Sequence, residues 1–103
     1  MVKVSVFYPT GNGTKFDMEY YCKRHIPLVQ RLLGSALKGA SVDAGLSGEE
    51  PGTPATYVAM GHLLFDSLQS FQSSFGTHVD EIVADVPKYT NVKPIIQISE
   101  IKL

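Results

Sequence analysis

Residues 16–29 read FDMEYYCKRHIPLV and predict the start of an amphipathic helix. Asp17 suits the N-cap, because its carboxylate can accept hydrogen bonds from backbone N–H groups two or three residues further on. Phe16 before the cap and Tyr21 after it have the spacing of a hydrophobic staple. Apolar and aromatic residues then recur at three- and four-residue steps, which places them on one face of the helix. That face carries Tyr21, His25, Leu28 and Leu32.

His25 therefore lies on or beside the buried stripe of the predicted helix, where a titratable ring is costly unless it has a partner. Pro27 follows two residues later and cannot donate a hydrogen bond to the carbonyl of Lys23. An imidazole close to a phenol, in a helix that is locally broken, indicates a small-molecule site.

The length and charge of the chain limit the classes of function. A chain of 103 residues is enough for one domain, 1–103, with one modest core. The formal net charge of −1 leaves no basic surplus to neutralise phosphates. We therefore expect no nucleic acid and no anionic membrane among its partners.

Cysteine usage indicates the cellular compartment. Cys22 is the single cysteine, so an intramolecular disulfide is excluded. No signal-peptide pattern is visible, and no apolar run approaches the ~20 residues that a membrane span needs. The sequence thus predicts a protein of a reducing, cytoplasmic setting with no membrane partner.

Hydrophobic periodicity predicts an α+β chain of the order β-α-β-β-α-β. Such an order is typical of a ferredoxin-like antiparallel sheet with both helices on one face. Residues 85–91 are expected to be extended or turn-like, and Gly34 to end the first helix. The predicted elements are strands at Val2–Tyr8, Ala36–Leu46, Ala55–Phe65 and Ile95–Leu103, a helix at Met18–Leu33, a second helix capped by Asp66 or Ser67, and a further helical turn at His78–Ala84.

Apolar residues occupy both sides of the predicted strands, although an antiparallel sheet with one wet face should alternate more strictly. We therefore expect a second copy of the chain to cover the free face, as a two-fold homodimer. On the third strand the pattern places Val58, Met60 and Leu64 on one side and Tyr57, Ala59, Leu63 and Phe65 on the other.

Motifs near both ends of the chain resemble those of the EthD family, small proteins named for a component of ethyl tert-butyl ether degradation. The resemblance spans nearly the whole chain. It is carried by Val6-Phe7-Tyr8-Pro9, by Phe16-Asp17-x-x-Tyr20-Tyr21-x-x-x-His25-x-Pro27-Leu28-Val29, and by Asp85-x-Pro87-x-Tyr89-Thr90-Asn91-x-x-Pro94-x-x-Gln97-Ile98-Ser99.

The resemblance implies a dimeric α/β barrel, in which two ferredoxin-like sheets face each other. Relatives that share this barrel include cofactor-free monooxygenases, isomerases, and cyclases or dehydratases of small organic molecules. We therefore expect a catabolic or biosynthetic enzyme of oxidoreductase, isomerase or dehydratase/cyclase type, with acid/base chemistry and no cofactor. The alternative is a non-catalytic ligand-binding or accessory protein of a degradation pathway, since fold does not fix function.

His25 and Tyr21 are the candidate catalytic residues. An imidazole with an ordinary pKa of about 6.5 gives or takes protons near neutral pH. A phenol one helical turn away can donate to a developing oxyanion or orient that imidazole. The structural alternatives are a core histidine with a backbone partner or at the dimer seam, and an aromatic staple with a surface hydroxyl.

Four further residues are candidates for binding a substrate, each with a structural alternative. Tyr8 ends the first strand beside a glycine loop, but it shares the face of the valines that form the core. His62 lines the barrel interior if its face of the third strand is that interior; otherwise it is a structural histidine. The other two are Tyr89 and Asn91 of the C-terminal motif, where turn formation is the commoner role of an asparagine.

Other polar residues are assigned structural roles. His78 is expected at a helix start and in solvent, Asp85 in a cap or turn, and Tyr20 in packing or at the surface. Three scattered histidines predict no metal site, and the glycines of residues 11–13 lack the spacing of a phosphate loop. Cys22 is interpreted as structural, because no base is placed to activate it.

Overall fold

In the computed structural model, which describes residues 1–103, four strands form one antiparallel sheet in the order β2-β3-β1-β4. This is the strand order of a ferredoxin-like α+β fold, as the sequence predicts. No helix is long and apolar enough to cross a membrane. The elements are β1 (Val2–Pro9), α1 (Met18–Tyr20), a π-helical segment (Tyr21–His25), α2 (Ile26–Leu33), β2 (Gly39–Ala44), β3 (Tyr57–Phe65), α3 (Leu68–Asp85) and β4 (Ile95–Glu100).

The first helical region runs without a gap from Met18 to Leu33, as predicted. Asp17 caps it through a 3.0 Å hydrogen bond from the backbone N–H of Tyr20 to its carboxylate. Within it, the N–H of Ile26 donates to the carbonyl of Tyr21, five residues back. This π-helical segment precedes Pro27, whose missing N–H removes one hydrogen bond of a regular α-helix.

The second helical region is one helix, so the predicted interruption before His78 is wrong. Ser67 caps α3 by accepting a 3.0 Å hydrogen bond from the N–H of Ser70. A glycine inside a helix costs only about 1 kcal/mol relative to alanine, so α3 continues through Gly76. His78 therefore lies inside α3 and is partly buried, with its Nδ1 4.0 Å from a carboxylate oxygen of Glu81.

Helices α2 and α3 cover one face of the sheet. Their buried residues meet those of β1 and β3 in two adjoining clusters. The first contains Val4, Val29, Leu33, Leu63, Phe65 and Ile82. The second, called here the aromatic cluster, contains Tyr8, Tyr21, Ile26, Ala59 and Tyr89.

A β-bulge at Val58 corrects the predicted faces of two residues on β3. Tyr8 pairs with Ala59 and Pro9 pairs with Tyr57, so Val58 is skipped. A one-residue shift exchanges the two sides of a strand. Tyr57 consequently lies 4.9 Å from the ring of Phe7 on the side away from the helices, whereas Val58 packs against the aromatic cluster.

Candidate functional site

The two ends of the chain meet beside the aromatic cluster. Phe16 forms an isolated β-bridge with Thr90, and the N–H of Asp17 donates to the carbonyl of Tyr89 at 2.7 Å. These contacts bring the residues that follow α3 against the start of α1. The hydroxyls of Tyr8 and Tyr89 then lie 2.7 Å apart in a hydrogen bond between β1 and this C-terminal segment.

His25 forms a buried pair with Asp85, the last residue of α3. Its Nδ1 lies 2.9 Å from Oδ2 of Asp85, and the two residues are 4% and 7% exposed. The Tyr20 hydroxyl donates to Oδ1 of Asp85 at 2.8 Å, and the ammonium of Lys88 lies 3.6 Å from the same oxygen. The cap or turn role expected for Asp85 is thus corrected, because its carboxylate supports the imidazole. The packing role expected for Tyr20 is confirmed, since its ring packs against the aromatic cluster, and its hydroxyl bonds to Asp85 as well.

The environment of the pair fixes its protonation. Burial lowers the pKa of His25, although Asp85 opposes this by stabilising the imidazolium. Burial would raise the pKa of Asp85, but the hydrogen bonds from His25 and Tyr20 outweigh it and lower that pKa. At neutral pH the ionised carboxylate therefore accepts a hydrogen bond from Nδ1–H of a neutral imidazole, which leaves a lone pair on Nε2.

Burial also raises the pKa of Tyr8, Tyr21 and Tyr89, so all three phenols stay protonated at neutral pH. The ring of Tyr21 stacks on that of His25, with centroids 5.5 Å apart and planes 14° apart. The Tyr21 hydroxyl forms no hydrogen bond of standard geometry, although the nearby Tyr8 hydroxyl contributes to its raised pKa. Tyr21 therefore places its ring against the imidazole of His25 and its hydroxyl beside that of Tyr8.

These side chains border a cavity of about 90 Å³ between the sheet and the helices. Fifteen residues line it, and only Tyr8, Tyr21, His25 and Tyr89 contribute side-chain polar atoms. No buried side-chain nitrogen or oxygen lacks a partner. His25 lines this cavity, its Nε2 forms no hydrogen bond, and the partner of its Nδ1 is a side-chain carboxylate rather than a backbone group.

Gly61 of β3 makes room for the Tyr21 hydroxyl in this cavity. A methyl group at Gly61 would overlap that hydroxyl. On the opposite side, Val83 of α3 and Ile96 of β4 are 56% and 55% exposed and line the cavity as well. They mark the place where the cavity opens to solvent.

The other two predicted binding residues lie elsewhere. His62 is on the sheet face away from the helices, with Nδ1 2.9 Å from the Ser5 hydroxyl and Nε2 3.2 Å from an Asp43 carboxylate oxygen. The Asn91 side chain accepts from the N–H of Lys15 at 2.9 Å and donates to the carbonyl of Gly13 at 2.8 Å. Neither residue lines the cavity, whereas His25, Tyr21, Tyr8 and Tyr89 all do.

Sequence reasoning missed Asp85, Tyr20 and Gly61. A signal for Asp85 was present, because Asp85 lies one helical turn after Ile82 and shares its buried face once α3 extends that far. Nothing in the local sequence identifies Tyr20 or Gly61. The role of Tyr20 depends on Asp85, which is 65 residues away, and that of Gly61 depends on how closely Tyr21 of the helical region approaches β3. The structure places no group of three or more His, Cys, Asp or Glu side chains to hold a metal ion.

Comparison with known proteins identifies similar chains. The family model of the EthD domain matches residues 13–93. A crystal structure of an EthD-like protein from Ralstonia eutropha JMP134 is 42% identical, covers 96% of this chain and 89% of its own, and superposes with a TM-score of 0.93. No curated protein matches significantly.

Two more distant structures share the fold. An ethyl tert-butyl ether degradation (EthD) family protein from Bacillus halodurans C-125 is 20% identical over 99% of both chains, with a TM-score of 0.68. A protein from Arabidopsis thaliana is 15% identical, with a TM-score of 0.71, over 100% of this chain and 97% of its own.

The buried pair predicts a specific pH dependence of stability. Because the pKa of His25 is lower in the native than in the unfolded state, the unfolded chain binds a proton first as the pH falls. As the pH falls from about 7.5 through about 6.5, the ordinary pKa of histidine, the wild type should therefore lose free energy of unfolding relative to His25→Asn. Asparagine keeps a donor near the Nδ1 position and does not titrate. Urea unfolding of both proteins across this range measures the difference, and parallel curves would contradict the buried neutral imidazole.

The methyl group added by Gly61→Ala should clash with the Tyr21 hydroxyl. Because Tyr21 is 2% exposed and closely packed, relieving this clash should strain the surrounding core. Overpacking of this kind costs about 1–3 kcal/mol in the free energy of unfolding. Gly76→Ala is the matched control: nothing surrounds that position inside α3, and alanine should stabilise the helix by up to ~1 kcal/mol. Equal stability of Gly61→Ala and the wild type in urea unfolding would show that the cavity tolerates the methyl group.

Proposed function

The chain belongs to the EthD family, and from this premise we propose that it is an enzyme that moves protons on a small organic substrate without a cofactor. One observation carries the proposal. The His25 imidazole is hydrogen-bonded through Nδ1 to Asp85 at 2.9 Å, has no hydrogen bond at Nε2, and lines an apolar cavity. A base that is oriented by a buried carboxylate and opens on a pocket is the arrangement used for general acid–base catalysis.

In the proposed reaction, Nε2 of His25 takes a proton from the bound substrate. Asp85 holds the ring in the required tautomer and stabilises the imidazolium that forms. The Tyr21 hydroxyl donates to the oxygen on which negative charge develops. Return of the proton to a different substrate atom completes the cycle. The His25–Asp85 pair thus supplies the proton transfers that isomerase and dehydratase/cyclase reactions require.

The apolar lining supports this proposal, because electrostatic interactions strengthen where water is excluded. The Tyr8–Tyr89 hydrogen bond holds two phenols side by side at the cavity wall. The proposed role of these two residues is to bind the substrate and keep its reactive part next to His25.

Deuterium exchange at the carbon beside the nitro group of nitroethane tests the proposal with a compact carbon acid. The wild type should accelerate exchange above an equal concentration of free imidazole. His25→Asn should lower the protein-dependent rate by about 10²-fold or more, the usual contribution of a general base. Tyr21→Phe should lower it by about tenfold or more, because a donor to the developing anion is lost.

His78→Asn is the matched control, since His78 lies in α3 outside the cavity and its replacement should leave the rate unchanged. Exchange that is equal in wild type and His25→Asn would exclude His25 as the base. Binding of nitroethane without exchange would favour the non-catalytic ligand-binding or accessory protein instead.

We also propose that two copies associate as a homodimeric α/β barrel. On β4, Ile95, Ile96 and Ile98 are 53%, 55% and 41% exposed, on both sides of an unpaired edge strand. The sheet face away from the helices also carries apolar side chains, such as Phe7 and Met60, beside the Ser5–His62 pair. Apolar edges and faces of this extent are typical of interfaces.

Light scattering at micromolar concentration should give twice the chain mass of 11.3 kDa. Ile95→Lys should shift the protein toward the monomer, because this side chain shares the sheet face of Phe7, where a lysine would be buried without a partner at the proposed interface. A wild-type mass of one chain at this concentration would exclude the barrel.

The exposed free thiol of Cys22 supports the proposal that the protein works in the reducing cytoplasm. Its sulfur lies 3.8 Å from that of Met18 and outside the cavity, so it has no part in the proposed reaction.

A further inference from the structure

We propose that the substrate is an uncharged carbonyl compound that enters the cavity carbonyl end first, an inference that rests on the proposed proton-transfer function. Three independent properties of the cavity support it: the charges around it, its size, and the polar groups that line it.

The cavity offers no partner for a charged ligand. None of its fifteen lining residues is a lysine, arginine, aspartate or glutamate. The Asp85 carboxylate bonded to His25 is paired with Lys88, so neither of these charges is left to bind an ion that enters the cavity. A buried charge without a partner costs several kcal/mol. The directions of the pKa shifts agree, because burial disfavours the charged form of His25 and of all three cavity tyrosines.

The size of the cavity limits what enters it. Its volume of about 90 Å³ is roughly three times the ~30 Å³ that one water molecule occupies in the liquid. Only a compact group of a few non-hydrogen atoms fits beside Gly61, where a side chain would overlap Tyr21. The remainder of a larger molecule would pass between Val83 and Ile96.

A carbonyl group matches the polar atoms that remain free. The Tyr21 hydroxyl can donate to the carbonyl oxygen while Nε2 of the stacked His25 faces a neighbouring C–H bond. When that bond breaks, its proton moves to Nε2 and its electron pair forms the C=C bond of an enolate, whose oxygen Tyr21 stabilises. Return of the proton from Nε2 to the enolate, at the carbon it left or at the oxygen, regenerates His25, so no oxidant or reductant is needed.

Pyruvamide and pyruvate test the inference, because they have nearly the same shape. Pyruvate differs in carrying a negative charge next to its ketone carbonyl, and this charge would have to enter the cavity with the carbonyl. Binding is followed by NMR through the ring signals of His25 and Tyr21. We expect pyruvamide to perturb both rings and pyruvate to bind at least about tenfold more weakly. Equal or tighter binding of pyruvate, or no binding of pyruvamide, would overturn the inference.

Val83→Lys sharpens the test by placing a cation at the opening of the cavity, at a position exposed enough to tolerate it. This variant should strengthen pyruvate binding and leave pyruvamide binding unchanged, whereas the matched neutral variant Val83→Gln should change neither. A Val83→Lys variant that binds pyruvate no better than Val83→Gln would contradict a charge-based exclusion.

The two proposals fail separately. Loss of nitroethane exchange with intact selectivity for pyruvamide would exclude proton transfer and retain the ligand class. Deuterium exchange into nitroethane by a protein that binds pyruvate more tightly than pyruvamide would retain the proton-transfer function and exclude the uncharged ligand class.

Discussion

The hydrogen bond between Nδ1 of His25 and the Asp85 carboxylate joins the first helical region to the end of α3, 60 residues apart in the chain. An imidazole and a carboxylate that are both nearly buried can coexist only if each satisfies the other. Tyr20 and Lys88 contact the second oxygen of the carboxylate, and the Tyr89 ring packs 4.6 Å from the imidazole. The closure of the fold at this end and the protonation of the site therefore depend on the same contact.

The surrounding elements of the fold place the His25–Asp85 pair beside the cavity. The π-helical segment before Pro27 carries Tyr21 and His25 together, and Gly61 of β3 supplies the space that the Tyr21 hydroxyl occupies. The hydrogen bond between the hydroxyls of Tyr8 and Tyr89 joins β1 to the C-terminal segment, and both residues line the cavity. The four polar side chains of the cavity therefore come from three parts of the chain but converge on a space of about 90 Å³. That convergence supports a ligand site better than any one residue does.

Most of the fold could be predicted from the sequence, because hydrophobic periodicity and caps act locally. Asp17 and Gly34 bound the first helical region where the pattern placed them, and the strand order follows from the element order. The errors arose where tertiary contacts override local signals. The separate helical turn predicted at His78–Ala84 is part of α3, and the bulge at Val58 exchanged the faces of two residues. Asp85 looked like a turn residue because its partner is 60 positions away. His25 and Tyr21 were found from spacing, whereas the pairing that defines their chemistry was not.

The central claim concerns one tautomer, and NMR of the imidazole nitrogens of His25 tests it most directly. At about pH 7 the account predicts a neutral ring with its proton on Nδ1 and a lone pair on Nε2, because burial lowers the pKa of His25 and Asp85 accepts from Nδ1. Asp85→Asn should remove the charge that opposes this shift and lower the pKa of His25 further. A proton on Nε2, or an imidazolium at neutral pH, would contradict the account, since neither form leaves a base facing the cavity.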